Sequence, residues 1–281
     1  MDTRTLPMLS LGRRLLRLRE EAGLTQGQVA KKARFSTAKL SQIENCRVRA
    51  SLFDVAGLCR ILGATRELTD QLERMAIEAD SPGWWESYST YMLRDFSMFL
   101  ELEEVCATID IYEADMITGL LQTEAYARAI HARDALLDPQ GVEQAMALRA
   151  LRQQRFWGRD PLPRIRIVMQ ESALTRPICG EDAEQVAHIE RLEAEHDHLD
   201  IHVLPTSQGA HSSMRGSYTV ITSGIVEISD VVYTESMTGA RYEPDEKVLA
   251  ACRTFFEATL SASVPLKEYL HGTRKVALVE P

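Results

Sequence analysis

The stretch LTQGQVAKKARFSTAKLSQIEN, residues 24–45, decides the fold of the amino-terminal part of the chain. It contains two short segments with helical spacing, residues 26–33 and 37–45, separated by a tight turn. Thr25 and Ser36 are placed to cap the two helices at their amino termini. The residues expected to face inward are Val29, Ala30, Leu40 and Ile43. This arrangement predicts a helix-turn-helix unit.

Amphipathic segments on both sides of this unit supply the rest of an all-α domain. Apolar residues recur at three- and four-residue steps over residues 9–22, which predicts a helix that ends at Gly23. Residues 51–62 and 67–79 predict two more helices that close the core. We therefore expect a five-helix domain over residues 1–80.

Charge is distributed unevenly along the chain. Residues 1–50 hold eleven bases and four acids, a balance of plus 7, whereas the whole chain carries minus 9, so the remainder carries minus 16. Such asymmetry indicates a basic end that meets nucleic acid and an acidic body with another role.

The composition is that of a folded protein, and the length of 281 residues favours two domains. No stretch of about 18 apolar residues occurs and the start lacks the pattern of a secretion signal, so we expect a cytoplasmic protein that does not engage the membrane. The five cysteines are scattered and contain no C-x-x-C pair, which argues against disulfides and a thiolate zinc site.

The quoted stretch resembles the Cro/C1-type helix-turn-helix of xenobiotic-response-element regulators, over about 70 residues. The resemblance implies that the helix over residues 37–45 enters the major groove of double-stranded DNA. Carried over by position, the residues that read bases are Thr37, Ala38, Lys39, Gln42 and the neighbouring Ser41. Their chemistry fits, because Gln can bond adenine, Lys can donate to guanine and a methyl group can meet thymine.

Further residues are placed to contact the DNA backbone. Gln26 and Ser36 can bond phosphates at the starts of the two helices, and Arg47 and Arg49 follow the reading helix as clamps. Two positions depart from the family pattern, because Arg34 and Cys46 stand where glycine is usual. If the backbone there has positive φ, each costs roughly 1 kcal/mol.

The pattern changes after Asp80 to Gly83, where we place the junction. An aromatic-rich stretch that starts at Trp84 and Trp85 predicts one or two packed helices. Further helices are expected at residues 124–137, 139–157, 182–195 and 244–259. Strands are expected at residues 107–112, 164–169, 200–204, 216–222, 225–229 and 231–235. Residues 81–281 therefore predict a mixed α+β domain.

This second half resembles the uncharacterised domain that follows the helix-turn-helix in WhiJ-like actinobacterial regulators. The segments that carry the resemblance are Trp84-Trp85, Leu102-Glu103, Gly119 to Thr123 with Tyr126-Ala127, Glu171 before Leu174, Val203 to Pro205, and Val231 to Glu235. A proline usually precedes the Gly-Leu-Leu-Gln-Thr segment, and this chain has Thr118 instead. The resemblance implies transcriptional control and small partner proteins, and it supplies no ligand.

Several residues of this half are candidates for contacting a ligand or partner. The row Arg149, Arg152 and Arg155 either receives an anion or acidic partner, or forms a solvated helical face. The other candidates, which core packing explains equally well, are Trp84, Trp85, Glu171, Tyr218, Tyr233 and Glu235. A run of metal-capable residues from Glu193 to His202 is either a metal site or a solvated turn at Leu199-Asp200.

The sequence contains none of the common catalytic or nucleotide-binding motifs, so we expect no enzyme, cofactor or metal. The leading hypothesis is a homodimeric regulator that reads a near-palindromic operator, with a carboxyl-terminal domain that senses a small-molecule effector or partner protein. An alternative is an antitoxin-like interaction protein that holds a small neighbour-encoded protein and regulates its own gene. A third is an unrecognised hydrolytic or nucleotide-linked activity involving Glu171 or Glu235.

Overall fold

The computed structural model describes residues 6–80, 83–226 and 228–277. The chain divides into two compact units, residues 1–86 with 225–228, and residues 87–224 with 229–281. Ser81 and Pro82, which belong to the predicted junction, lie outside the described residues.

The first unit has an all-α helix-turn-helix architecture, as predicted. Its helices are α1 Leu6–Glu21, α2 Gln26–Ala33, α3 Thr37–Glu44, α4 Leu52–Leu62 and α5 Arg66–Asp80. Gly23 ends the turn after α1 with a φ of 64°, as its position in the sequence predicts. The core is formed by buried apolar residues that include Leu11, Leu15, Val29, Leu40, Val55, Leu58 and Leu72.

The second unit is a mixed α+β domain, also as predicted. Its helices are α6 Phe96–Val105, α7 Glu124–His131, α8 Pro139–Trp157, α9 Glu171–Thr175, α10 Asp182–Glu195, α11 Glu246–Ser261 and α12 Leu266–Ala277. Its strands are β1 Cys106–Glu113, β2 Arg164–Gln170, β3 Leu199–Leu204, β4 Tyr218–Ser223, β5 Val231–Ser236, β6 Gly239–Glu243 and β7 Val264–Pro265.

The described strands form one sheet in the order β6-β5-β4-β1-β2-β3-β7. Strands β1, β2 and β3 run parallel, and every other neighbouring pair is antiparallel. Helix α11 packs on one face, where Phe256 joins a core with Tyr112 and Tyr218. Helix α6 lies on the opposite face, where the Phe99 ring is 4.3 Å from that of Tyr233.

Some predicted elements differ from the structure. The described residues of the expected strand at 225–229 do not form one, and Glu227 lies outside the described residues. Ile225 and Val226 lie in a bend and turn, and the Asp230 carboxylate accepts a hydrogen bond from the N–H of Ser223 across the β4–β5 connection. Helix α7 ends at His131 instead of residue 137. Leu199-Asp200 is the start of β3 rather than a turn, because it pairs with β2. Strands β6 and β7 and helices α9 and α12 were not predicted.

Candidate nucleic-acid interface

Side-chain caps fix the starts of both helices of the helix-turn-helix unit. Thr25 accepts a hydrogen bond from the N–H of Gln28, whose side chain accepts one from the N–H of Thr25. Ser36 accepts one from the N–H of Lys39 at 3.1 Å. The predicted caps at Thr25 and Ser36 are confirmed, and each contributes about 1 kcal/mol to helix stability.

Two non-glycine residues end these helices in the left-handed backbone conformation. Arg34 has a φ of 57° after α2, and Cys46 has a φ of 56° after α3. Both residues therefore have the positive φ that glycine adopts freely, and each costs about 1 kcal/mol relative to glycine. The N–H of Arg47 then donates to the Gln42 carbonyl at 2.7 Å and closes the end of α3.

A buried carboxylate at the end of α3 holds three helices together. The Arg19 guanidinium on α1 donates to both oxygens of Glu44, at 2.6 and 3.0 Å. The Gln26 side chain at the start of α2 donates to Glu44 at 2.8 Å. The hydrogen bond to Glu44 raises the pKa of Arg19 against the opposing effect of burial. Sequence reasoning missed Arg19 and Glu44, and it treated the Gln26 side chain, which is engaged here, as free for phosphate.

Helix α1 approaches the end of α3 closely at Gly12. A Cβ atom at this position would lie 2.6 Å from both the Sγ of Cys46 and the carbonyl oxygen of Ile43. Only glycine allows this approach without a shift of one of the helices. A lone glycine inside an amphipathic helix was the available signal, and sequence reasoning did not use it.

The outward side of α3 presents the predicted reading residues. Thr37, Ala38 and Gln42 are exposed, and the Gln42 side chain has no hydrogen-bond partner among the described residues. Ser41 is half-buried, and its hydroxyl accepts a hydrogen bond from the Asn45 amide at 3.2 Å. The structure thus leaves three of the predicted readers open to solvent.

Lys39 is the predicted reading residue whose ammonium group already has a partner. Its Nζ lies 2.8 Å from Asp54 on α4 and 4.3 Å from the centre of the Phe35 ring. Burial raises the pKa of Asp54, but hydrogen bonds from Lys39 and Ser51 outweigh it, and the net pKa is lowered. Lys39 must leave this carboxylate before it can contact a base.

The predicted backbone clamps follow α3. Arg47 is exposed and has no ion-pair partner among the residues that the structure describes. Arg49 is also exposed and lies 3.4 Å from Asp80, a pair too open to solvent to hold it strongly.

The row of arginines on α8 does not share one environment. Arg152 is buried and donates to both oxygens of Glu103 at 2.7 Å. Arg155 is exposed and donates to Glu104 at 2.8 Å. Arg149 is half-buried, forms no ion pair with a described residue, and its Nη1 would lie 1.5 Å from a Cβ on Gly119. Burial, together with the charge of Arg152, lowers the pKa of Arg149 to about 10.

The remaining candidates of the second unit, called the sheet unit from here on, lie apart from one another. Tyr233 donates to Glu235 at 2.8 Å on the α6 face of the sheet, whereas Tyr218 lies on the α11 face. The three residues therefore do not line one pocket. Glu171 accepts hydrogen bonds from Tyr269 and from the N–H of Thr206, both at 2.7 Å, which ties α9 to its neighbours.

The tryptophan pair lies outside the sheet unit. Trp84 and Trp85 fall among the residues grouped with the first unit, with ring centres 5.4 Å apart in an edge-to-face contact. Trp85 is buried and covers Gly83, where a Cβ would lie 2.4 Å from the indole.

Two glutamines that sequence reasoning missed fix the segment Gly119 to Thr123. Gln153 on α8 donates to the carbonyls of Gly119 and Gln122, both at 2.8 Å. Gln185 on α10 donates to the Leu121 carbonyl and accepts from the N–H of Thr123, both at 2.7 Å. These bonds hold the loop where Thr118 replaces the usual proline.

Within the described parts of the chain, no three His, Cys, Asp or Glu side chains converge as metal ligands. In the run from Glu193 to His202, His196 instead stacks on Trp157 at 4.6 Å, and His202 contacts Ser263. No described helix is long and apolar enough to cross a membrane.

Comparison with known families agrees with this division. Residues 10–72 match a family described as a helix-turn-helix domain, which indicates a DNA-binding regulator. Residues 96–270 match a domain of unknown function, DUF5753, and the chain belongs to that family because the match covers more than half of its length. No curated protein matches the chain.

Proposed function

We propose that the protein is a sequence-specific transcription regulator that inserts α3 into the major groove of DNA. One observation carries this proposal: α3 presents Thr37, Ala38 and Gln42 to solvent at its outward side, as a reading helix requires. The first unit also carries exposed basic side chains that lack an ion-pair partner within the described residues, including Lys31, Lys32, Arg34 and Arg47. These supply the charge that attracts phosphates.

The proposal extends to the assembly and to the subtype. A single helix of eight residues reads only a few base pairs, so we expect a homodimer on a near-palindromic operator with half-sites about one helical turn apart. From the resemblances of the two halves of the sequence, we also propose a regulator of the xenobiotic-response-element class and the WhiJ-like actinobacterial type. The carboxyl-terminal domain then binds a small-molecule effector or partner protein without converting it.

The test is a selection of genomic fragments by the purified full-length protein at about 150 mM salt, where non-specific phosphate binding is weak. We expect a discrete motif with two-fold symmetry. Recovery of DNA without any shared motif contradicts sequence-specific binding.

The dimer is tested separately by sedimentation velocity of the protein bound to the selected operator. Two chains per operator are expected. One chain per operator contradicts the dimer and leaves DNA reading by α3 intact.

A further inference from the structure

A cleft of about 580 Å³ opens in the sheet unit on the α11 face. Strands β4, β5 and β6, helix α11 and the loop before β4 supply its lining. Its volume lies within the range of about 300 to 1,000 Å³ that is typical of small-molecule sites.

The walls of this cleft are largely apolar. Val232 and Tyr218 from the sheet form one side, and Val248 and Phe255 from α11 form the other. Val248 and Phe255 remain 39% and 41% exposed, although the same helix buries Phe256 in the core. Removing such apolar side chains from water is favourable, so an apolar ligand body is favoured here.

The charged residues that line the cleft are two arginines and one glutamate, a net positive set. Arg215 and Arg241 both line it and are exposed, and neither guanidinium group has a hydrogen-bond or ion-pair partner among the described residues. Glu243 also lines the cleft, and its carboxylate accepts a hydrogen bond from the N–H of Asp245 at 3.1 Å. Two unpaired guanidinium groups beside apolar walls match a ligand with an anionic group at one end, because Arg binds carboxylate and phosphate with paired hydrogen bonds.

We propose that this cleft binds a small molecule with an apolar body and one anionic group, held by Arg215 and Arg241. The lining residues, their exposure and their charges are the basis for proposing that a ligand binds in the cleft. Its role as the effector site rests on the proposed regulatory function.

The first experiment uses two dyes that share an aromatic body. The probe 1-anilinonaphthalene-8-sulfonate carries an anionic group, and N-phenyl-1-naphthylamine has the same body without it. We expect the full chain to bind the sulfonate with one-to-one stoichiometry by fluorescence titration. The double variant Arg215→Gln/Arg241→Gln weakens this binding about tenfold and leaves the neutral dye unchanged. The proposal is overturned if the double variant weakens binding of both dyes equally, or if it leaves binding of the sulfonate unchanged.

A second measurement locates the bound dye. Cys252 lines the cleft and is half-buried, and burial raises the pKa of its thiol. Cys179 is half-buried as well and does not line the cleft, so it serves as an internal control. Bound sulfonate should slow the alkylation of Cys252 by iodoacetamide several-fold and leave Cys179 unchanged, as read by mass spectrometry. Equal rates at Cys252 with and without dye place the dye elsewhere and overturn the proposal.

Both measurements are made without DNA. Failure to find an operator therefore contradicts the proposed function and the effector role that rests on it, but not ligand binding in the cleft. Failure of dye binding contradicts this inference alone.

Discussion

Arg19 and Glu44 form a two-point contact in which both carboxylate oxygens are engaged, at 2.6 and 3.0 Å, with the Glu44 side chain only 2% exposed. The pair joins α1 to the end of α3, and Gln26 adds the start of α2 to the same carboxylate. One buried acid therefore fixes the end of α3 to both α1 and α2, in addition to the apolar contacts of Leu40 and Ile43.

Glu44→Gln should destabilise the first unit by about 3 kcal/mol, because it leaves the Arg19 charge buried without its partner. Hydrogen exchange of the α2 and α3 amides in the full chain measures the loss locally. Asp80→Asn is the control, since it breaks the exposed contact with Arg49 and should cost less than about 1 kcal/mol. Similar losses in the two variants would contradict the role given to Glu44.

Gln42→Ala should weaken binding to the selected operator by about 1 to 3 kcal/mol and relax its sequence preference, because an exposed reader is lost. Lys39→Ala should act similarly. Arg49→Ala should weaken binding to all DNA alike and flatten the salt dependence, because it removes a phosphate contact. Affinities for the operator and for scrambled DNA at several salt concentrations separate the two classes. If all three variants lose the same affinity for the operator and for scrambled DNA, Gln42 and Lys39 do not read bases.

Asp54→Asn should strengthen DNA binding by about three- to fivefold, because Lys39 is released from its 2.8 Å contact. The amide can still accept the hydrogen bond from the N–H of Ser51, so α4 keeps its cap. Asp70→Asn is the matched control, because Asp70 is an exposed acid of the same unit that does not contact Lys39. Equal gains in the two variants would show a general charge effect and not the release of Lys39.

Local signals predicted most of the first unit. The caps at Thr25 and Ser36 and the apolar spacing of the helices depend on neighbours within four residues, which the sequence displays directly. The Arg19–Glu44 pair joins residues 25 positions apart, and which acid Arg19 meets depends on how α1 crosses α3. No periodicity contains that information.

Predictions were weaker in the sheet unit for a similar reason. The spacing of Arg149, Arg152 and Arg155 on α8 was read as one face, but three residues turn an α-helix by about 300°, so successive members of the row differ by about 60°. Arg152 consequently faces Glu103 in the interior while Arg155 reaches the surface. Strand β6 was missed because Gly239–Glu243 is short and mostly polar, and its pairing with β5 defines it.

Gly12→Ala should destabilise the first unit by about 1 to 3 kcal/mol, because the added methyl meets the Ile43 carbonyl at 2.6 Å. Helix propensity alone predicts the opposite sign. Gly57→Ala on α4 is the control: its methyl meets nothing within 4 Å, so it should stabilise the unit by about 0.5 to 1 kcal/mol. Urea unfolding followed by circular dichroism measures both, and a stabilising Gly12→Ala contradicts the close approach of α1 and α3.

Glu113, at the end of β1, makes the stability of the sheet unit depend on pH. Burial raises the pKa of Glu113 to about 7, and the Glu235 carboxylate adds to this against a hydrogen bond from Ser217. The unfolded chain loses this proton near its ordinary pKa of 4.5, whereas the folded chain keeps it to about 7. The protonated carboxyl therefore contributes its whole stabilisation below pH 4.5, and this contribution is lost as the pH rises through about 7.

Glu113→Gln removes this loss, because the amide is neutral at every pH. The variant should match the parent near pH 5 and exceed it by about 1 to 3 kcal/mol at pH 8, since each pKa unit corresponds to about 1.4 kcal/mol. Thermal unfolding across this range measures the difference. Glu268→Gln, at an exposed position on α12, removes one acid without this burial and should show no such trend. A constant difference between Glu113→Gln and the parent from pH 5 to 8 would mean that Glu113 keeps one protonation state throughout, against the effect of its burial.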